Sequence, residues 1–132
     1  MTIASTATSM GRALAESLMI ETCTITRVTG QVLDEITGEY TDTVEVVYSG
    51  PCKVKVPKLH GLHVLTEGRR LTISRQELHL PVSASGGVAQ NDVVTIDSSP
   101  DDASLVGHQF RATEWLAGSF ATARRIAIED VQ

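Results

Sequence analysis

Aromatic residues are scarce in this chain of 132 residues, at 4%, with Phe110, Phe120, Tyr40, Tyr48 and Trp115 as the full set. A core built from it must therefore rely on Val, Leu, Ile and Ala. No apolar run approaches the ~20 residues that span a bilayer, so a membrane partner is not expected. Cysteine is limited to Cys23 and Cys52, which is too few for a disulfide framework and does not call for an oxidising compartment. The first residues lack a basic stretch followed by an unbroken apolar one, since Arg12 and Glu16 interrupt it, so a secretory signal is not expected. Positive charge is also short: 11 Lys and Arg face 16 Asp and Glu, for a net charge of −5. That balance opposes tight nucleic-acid binding driven by bulk electrostatics.

What is present is a moderately apolar chain, 42% hydrophobic and 20% charged, of a length suited to one core. Residues 1–8 are small and polar and are expected to form a flexible arm ahead of a single domain over residues 9–132. Met10, Ala13, Leu14, Ser17 and Leu18 recur at helical spacing, which predicts a short helix from Ser9 to Met19 with Ser9 as its N-cap. At roughly ten residues such a helix needs something to dock on.

Beyond Glu21 the period becomes two. Cys23 and Ile25 alternate with threonines, and Val44, Val46 and Tyr48 follow on what should be one face of a second strand. Between them, Thr29-Gly30 and Thr37-Gly38 mark a protruding loop or short hairpin over Thr29 to Thr41. Gly50-Pro51 is expected to end the second strand before Cys52, Val54 and Val56 open a third. Residues Lys58 to Arg70 lack a stable period and read as a long loop, with room for a short strand at Leu62 to Leu65. Leu71 and Ile73 face inward on odd numbers, whereas Leu78, Leu80 and Val82 do so on even ones, implying a bulge near Arg75 to Glu77. Val94 and Ile96, then His108 to Leu116 and Ala121 to Val131, supply the remaining strands. The expected fold is mainly β: a small barrel or sandwich of about six to eight short strands, with one N-terminal helix and a long inter-strand loop.

Signatures of catalysis are missing. The chain has no G-x-S-x-G, H-E-x-x-H, Walker A or G-x-G-x-x-G sequence, and no nucleophile with a base at defined spacing. His60 and His63 form an H-x-x-H pair, but His79 is expected to point outward beside Leu78 and Leu80. No C-x-x-C completes a zinc set with His108. Asp34, Glu35 and Glu39 around Gly38 fail the EF-hand spacing, because Ile36 falls where an oxygen ligand is required. No catalytic residue, metal or cofactor is therefore expected. Six of the eleven basic residues, Lys53, Lys55, Lys58, Arg69, Arg70 and Arg75, crowd into positions 53–75. They make either a solvated sheet face or a surface turned to phosphate, and a symmetric ring would multiply the second effect.

The order of segments carries a resemblance. G-R-A-L-A-E-S-L-M leads to T-C-T-I-T-R, then T-G-E-Y-T, Y-S-G-P-C-K-V, L-H-L-P-V-S, N-D-V-V-T-I, L-V-G-H-Q-F-R-A and A-T-A-R-R-I-A-I-E-D-V. From Gly11 to Val131 this resembles the head-to-tail stopper, or head-closure, proteins of tailed phages infecting actinobacteria. The resemblance implies a virion protein of the neck, made in the host cytoplasm, without catalytic residues. It implies a β-barrel subunit in a homo-oligomeric ring, expected as a hexamer, below the portal and adaptor, which closes the DNA exit channel and docks the tail. Its partners would be further copies of itself, adaptor or portal proteins, tail terminator or tail tube proteins, and packaged duplex DNA held by weak contacts. The long loop would face the channel, with Lys58, His60, His63, Arg69 and Arg70 as candidates. Met10, Leu14, Leu18 and the outer strand residue Val47 are the candidates for subunit or partner contacts. Two alternatives stand beside it: a tail-terminator or other joining ring, and an OB-like module for single-stranded nucleic acid, which would stack bases on aromatics.

Overall fold

A computed structural model of the chain describes residues 2–56, 62–66, 69–73, 76–116 and 121–131, with the backbone alone for 62–66, 69–73 and 116. Helix α1 (Ile3–Ser17) is followed by strands β1 (Glu21–Leu33), β2 (Tyr40–Lys55), β3 (Leu62–Thr66), β4 (Arg69–Ile73) and β5 (Gln76–Leu80). Strand β6 (Val93–Ser98), a 3-10 turn at Ala103–Leu105, β7 (Gln109–Leu116) and β8 (Arg124–Asp130) complete it. Strands β1-β2-β5-β8-β7-β6 close into an antiparallel barrel, and β3-β4 form a separate two-stranded antiparallel sheet. The expected β architecture holds, as a barrel. Closure pairs every barrel strand on both sides over part of its length, which protects Val- and Ile-rich edges from other chains.

The core is the inward face of all six strands: Cys23 and Ile25, Tyr48 and Cys52, Leu78 and Leu80, Val94 and Ile96, Phe110 and Ala112, Ile126 and Ile128, with Val88 closing one end. Phe110 is the largest fully buried side chain, so the shortage of aromatics is met by β-branched and small residues, as the composition requires. Cys23 and Cys52 are free thiols buried on neighbouring strands. A hydrogen bond between them and burial both push the Cys23 thiol above its ordinary range.

Several local expectations need correction. The helix begins at Ile3, not Ser9, and its N-cap is Thr2, whose side chain accepts a hydrogen bond from the Ser5 amide. Thr6, Thr8 and Ser9 each turn their hydroxyl back onto a carbonyl four residues earlier, so polar residues sit comfortably inside the helix. Gly50-Pro51 does not end a strand: β2 runs unbroken from Tyr40 to Lys55. Pro51 pairs with Thr22 on one side, while β5 engages β2 only from Lys53 to Lys55, so the proline occupies a local edge where its missing N–H costs little. The short strand expected at Leu62 to Leu65 within the long loop is present as β3, and it pairs with β4, placing His63 opposite Thr72 and Leu65 opposite Arg70. Of the stretch Arg75 to Glu77, where a bulge is expected, Gln76 and Glu77 pair in regular register with Ile128 and Ala127, and Arg75 lies outside the described residues.

The largest departure is the reach of β1 and β2. On β1 the alternating burial stops at Ile25, and on β2 it starts only near Val47 and Tyr48. Beyond the barrel the two strands continue as a paired ribbon to Leu33 and Tyr40. A turn closes it, with the Gly38 amide donating to the Asp34 carbonyl and the Ile36 amide to the Asp34 carboxylate. Gly38, at φ +74°, takes the left-handed conformation this turn requires. The segment expected as a loop or short hairpin is thus a long arm.

Candidate interaction surfaces

Helix α1 reaches the barrel by its less apolar side. Thr8, Gly11, Arg12 and Ala15 are half-buried, and Met19, just past the helix, is buried. The Arg12 guanidinium donates to the Ala121 carbonyl at 3.0 Å. Gly11 lies so close to the turn before β8 that an added Cβ would stand 2.6 Å from the Thr122 methyl. The opposite side carries Ile3, Met10, Leu14 and Leu18, all turned to solvent, with Met10 at 71% and Leu14 at 65% exposure. A helix of this length normally gains its stability by burying an apolar face. Here that face is the uncovered one. Met10, Leu14 and Leu18 therefore stand where partner contacts were sought, and the helix anchors through residues the periodicity had placed on its outer side.

The arm shows a second uncovered apolar surface. A bulge at Val47, between the Ile25–Tyr48 and Thr26–Val46 pairs, shifts the register, so the inward parity of the barrel does not continue into the ribbon. Directly opposed pairs share a face: Thr26 with Val46, Val28 with Val44, Gln31 with Asp42, and Leu33 with Tyr40. Val28, Leu33, Tyr40, Val44 and Val46 form its apolar part, and each is exposed. Asp42 is its one charge, tied to Gln31 at 3.1 Å. The expectation that Val44, Val46 and Tyr48 share a face is thereby corrected: Tyr48 enters the core and the valines do not. Val47 is likewise turned inward. It is partly buried against the core, near Gly87, and is not an outward strand residue.

The root of the arm is pinned by an ion pair. Arg27 on the ribbon's other face donates from Nε and Nη2 to the two Asp92 carboxylate oxygens at 2.9 and 3.0 Å, and from Nη2 to the Gly87 carbonyl at 2.7 Å. Asp92 is buried and takes a further bond from the Ala89 amide at 2.7 Å. This pairing holds the Arg27 guanidinium charged above its already high range. Arg27, Gly87, Gln90, Thr113, Glu114 and Trp115 border an open groove of about 750 Å³. Arg124 lies 4.7 Å over the Trp115 ring and is itself held by Ser85 and Val82.

The basic candidates are only partly placed. Lys58 and His60 lie outside the described residues, as does Arg75. His63 is on β3, and Arg69 and Arg70 are on β4, opposite Thr66 and Leu65. On neighbouring strands Lys53 pairs with His79, which in turn pairs with Arg125, a row of basic residue types over β2, β5 and β8. His79 lies on the face opposite the inward Leu78 and Leu80, as expected, yet it is buried there and bonded at 3.1 Å to Glu77. Burial, partly offset by Glu77, lowers its pKa below the ordinary 6.5. Glu21 is buried with an unpartnered Oε2, and burial together with Asp101 and Asp102 raises its pKa above 4.5. Among the described residues no three His, Cys, Asp or Glu side chains are grouped to hold a metal ion. Asp34, part of the rejected calcium pattern, is occupied in capping its own turn.

Sequence reasoning missed the arm's apolar face because the alternation is read strand by strand, and the bulge at Val47 hides which parity continues. Thr37-Gly38 marks the turn, and the signal that could have extended it into an arm is the alternation of Tyr40, Asp42, Val44 and Val46 with Thr41, Thr43 and Glu45 beyond it.

The barrel is similar to the solution structure of protein SF1141 from Shigella flexneri 2a, with a TM-score of 0.55 and 16% identity, covering 86% of this chain and 93% of that one. At that identity the likeness shows the fold alone. Among curated proteins none matches the chain. A family profile matches residues 11–129, nearly the whole barrel and the C-terminal half of α1, and the chain therefore belongs to the family of unknown function DUF6093.

Proposed function

We propose that this protein is a structural joining subunit of a phage neck, a head-to-tail stopper that forms a ring below the portal and adaptor, closes the DNA exit channel and docks the tail. The segment order that resembles such stoppers motivates the reading. The observation that carries it is the helix whose apolar side, Ile3, Met10, Leu14 and Leu18, is left to solvent. A surface of that kind fits a chain that completes its burial against a partner. One domain of this length has a radius of gyration of roughly 14 Å and cannot encircle a duplex, so a conduit needs several copies. The net charge of −5 suits passage of DNA, since capture of many phosphates would hold it in place.

The test is a reconstruction of intact particles assembled in cells that make this chain. A ring of copies at the head-tail interface, with α1 covered, is the expected result. A ring at the distal end of the neck, against the tail tube, would favour the tail-terminator alternative, and absence from the particle would overturn the joining role. Tight, salt-sensitive binding of oligonucleotides by the isolated chain would move the assignment to the single-strand binding alternative.

A further inference from the structure

Two apolar surfaces of one chain stand uncovered, and they match. The outward side of α1 runs about 22 Å along a 15-residue helix. The apolar face of the arm runs about 23 Å from Thr26 to Leu33. Scaled by their exposure, Ile3, Met10, Leu14 and Leu18 on one and Val28, Leu33, Tyr40, Val44 and Val46 on the other each offer on the order of 500 Å². Joining them would remove roughly 1,000 Å², about the lower bound for a specific contact. Charge does not oppose the match. Arg12 sits on the barrel side of α1, and Asp42 on the arm is already bonded to Gln31.

The two surfaces cannot both be satisfied within one molecule. Arg12 and Gly11 fix α1 on the turn before β8 with its apolar side outward, and Arg27 fixes the root of the arm on Asp92. Both are exposed in that arrangement. The arm has a further need of company. β6 pairs with β1 only over Thr22–Thr26, and β5 with β2 only over Lys53–Lys55, so the ribbon is two-stranded beyond the barrel. A lone two-stranded ribbon is marginal in water.

We infer that the arm of one copy receives helix α1 of the next, so that copies join head to tail through two different surfaces. This rests on the joining role proposed above and specifies the contact by which it would assemble. A contact between unlike patches repeats around a ring or along a filament, whereas a contact of one patch with itself stops at two copies.

Leu14→Glu on the helix and Val44→Glu on the arm test it, because both positions are exposed and either variant should keep the fold, checked by circular dichroism and thermal melting. Light scattering at millimolar concentration should find wild type as multi-copy assemblies and each variant alone as single copies of 14.2 kDa. An equimolar mixture of the two variants should recover two-copy particles and nothing larger, since one intact helix meets one intact arm. Three outcomes overturn the inference. Wild type that stays single at that concentration removes both this contact and self-assembly. Assemblies untouched by either variant remove this contact and leave the ring reading standing. Variants that dissociate but do not rescue each other show that the intact helix of one copy does not meet the intact arm of another.

Discussion

At the level of single residues, the side chains that carry charge inside the fold have opposite effects on its pH response. Glu21 is buried without a partner for Oε2, and its raised pKa means the folded state holds a proton that the unfolded chain gives up above pH 4.5. Its contribution therefore grows less favourable as pH rises through that range. Glu21→Gln should raise the stability at neutral pH by about 1 kcal/mol, by removing a buried negative charge that faces Asp101 and Asp102. That gain should vanish in acid, which a melting series against pH would read. His79 works the other way. Its lowered pKa means that the unfolded chain takes up a proton first, so stability present above pH 6.5 is lost as pH falls below it. His79→Gln should flatten that loss between neutral and mildly acid pH. Asp92 is a costlier position: Asp92→Ala should lose about 3 kcal/mol, because it strips Arg27 of both carboxylate bonds and leaves the Ala89 amide unpaired. Denaturant titration would measure it.

At the level of elements, the arm and the helix are separable from the core they decorate. On β1 no residue beyond Ile25 is buried, and on β2 none before Tyr48. Replacing Thr29 to Thr43 by an Asn-Gly turn should leave the barrel folded, with its core amides as slow to exchange as before. Enlarging Gly11 to valine should instead loosen α1 from the turn at Thr122, which faster amide exchange along Ile3–Ser17 would register, while the strands keep their protection. How much of this was legible follows from the same residues. Strict alternation announced the inward positions Cys23, Ile25, Cys52, Leu78, Leu80, Val94 and Ile96, because each of those stretches lies wholly within the barrel. It failed at Val44 to Tyr48, where one extra residue at Val47 exchanges the two faces, and periodicity alone cannot say where a bulge falls. The helical pattern at Met10, Leu14 and Leu18 was equally plain. Its direction was not, since an apolar stripe looks the same whether its own chain or another covers it.

For the whole molecule, the fold was within reach of the sequence and the assembly was not. Many short alternating stretches with turns between them imply a closed or stacked sheet, and closure follows from the pairing of β6 with β1. The proposed joining, by contrast, depends on surfaces whose meaning would lie in a second copy. A connection between unlike patches should also show itself in concentration dependence. Average mass should rise continuously with concentration until a ring closes, after which one discrete size should dominate.

The two natural thiols are sealed between β1 and β2, each with no exposure to solvent. A maleimide dye or spin label added to the folded protein should therefore ignore them. A cysteine introduced on the arm or on α1 would be the sole reactive handle, and distances between labelled copies could be measured without altering the native sequence elsewhere.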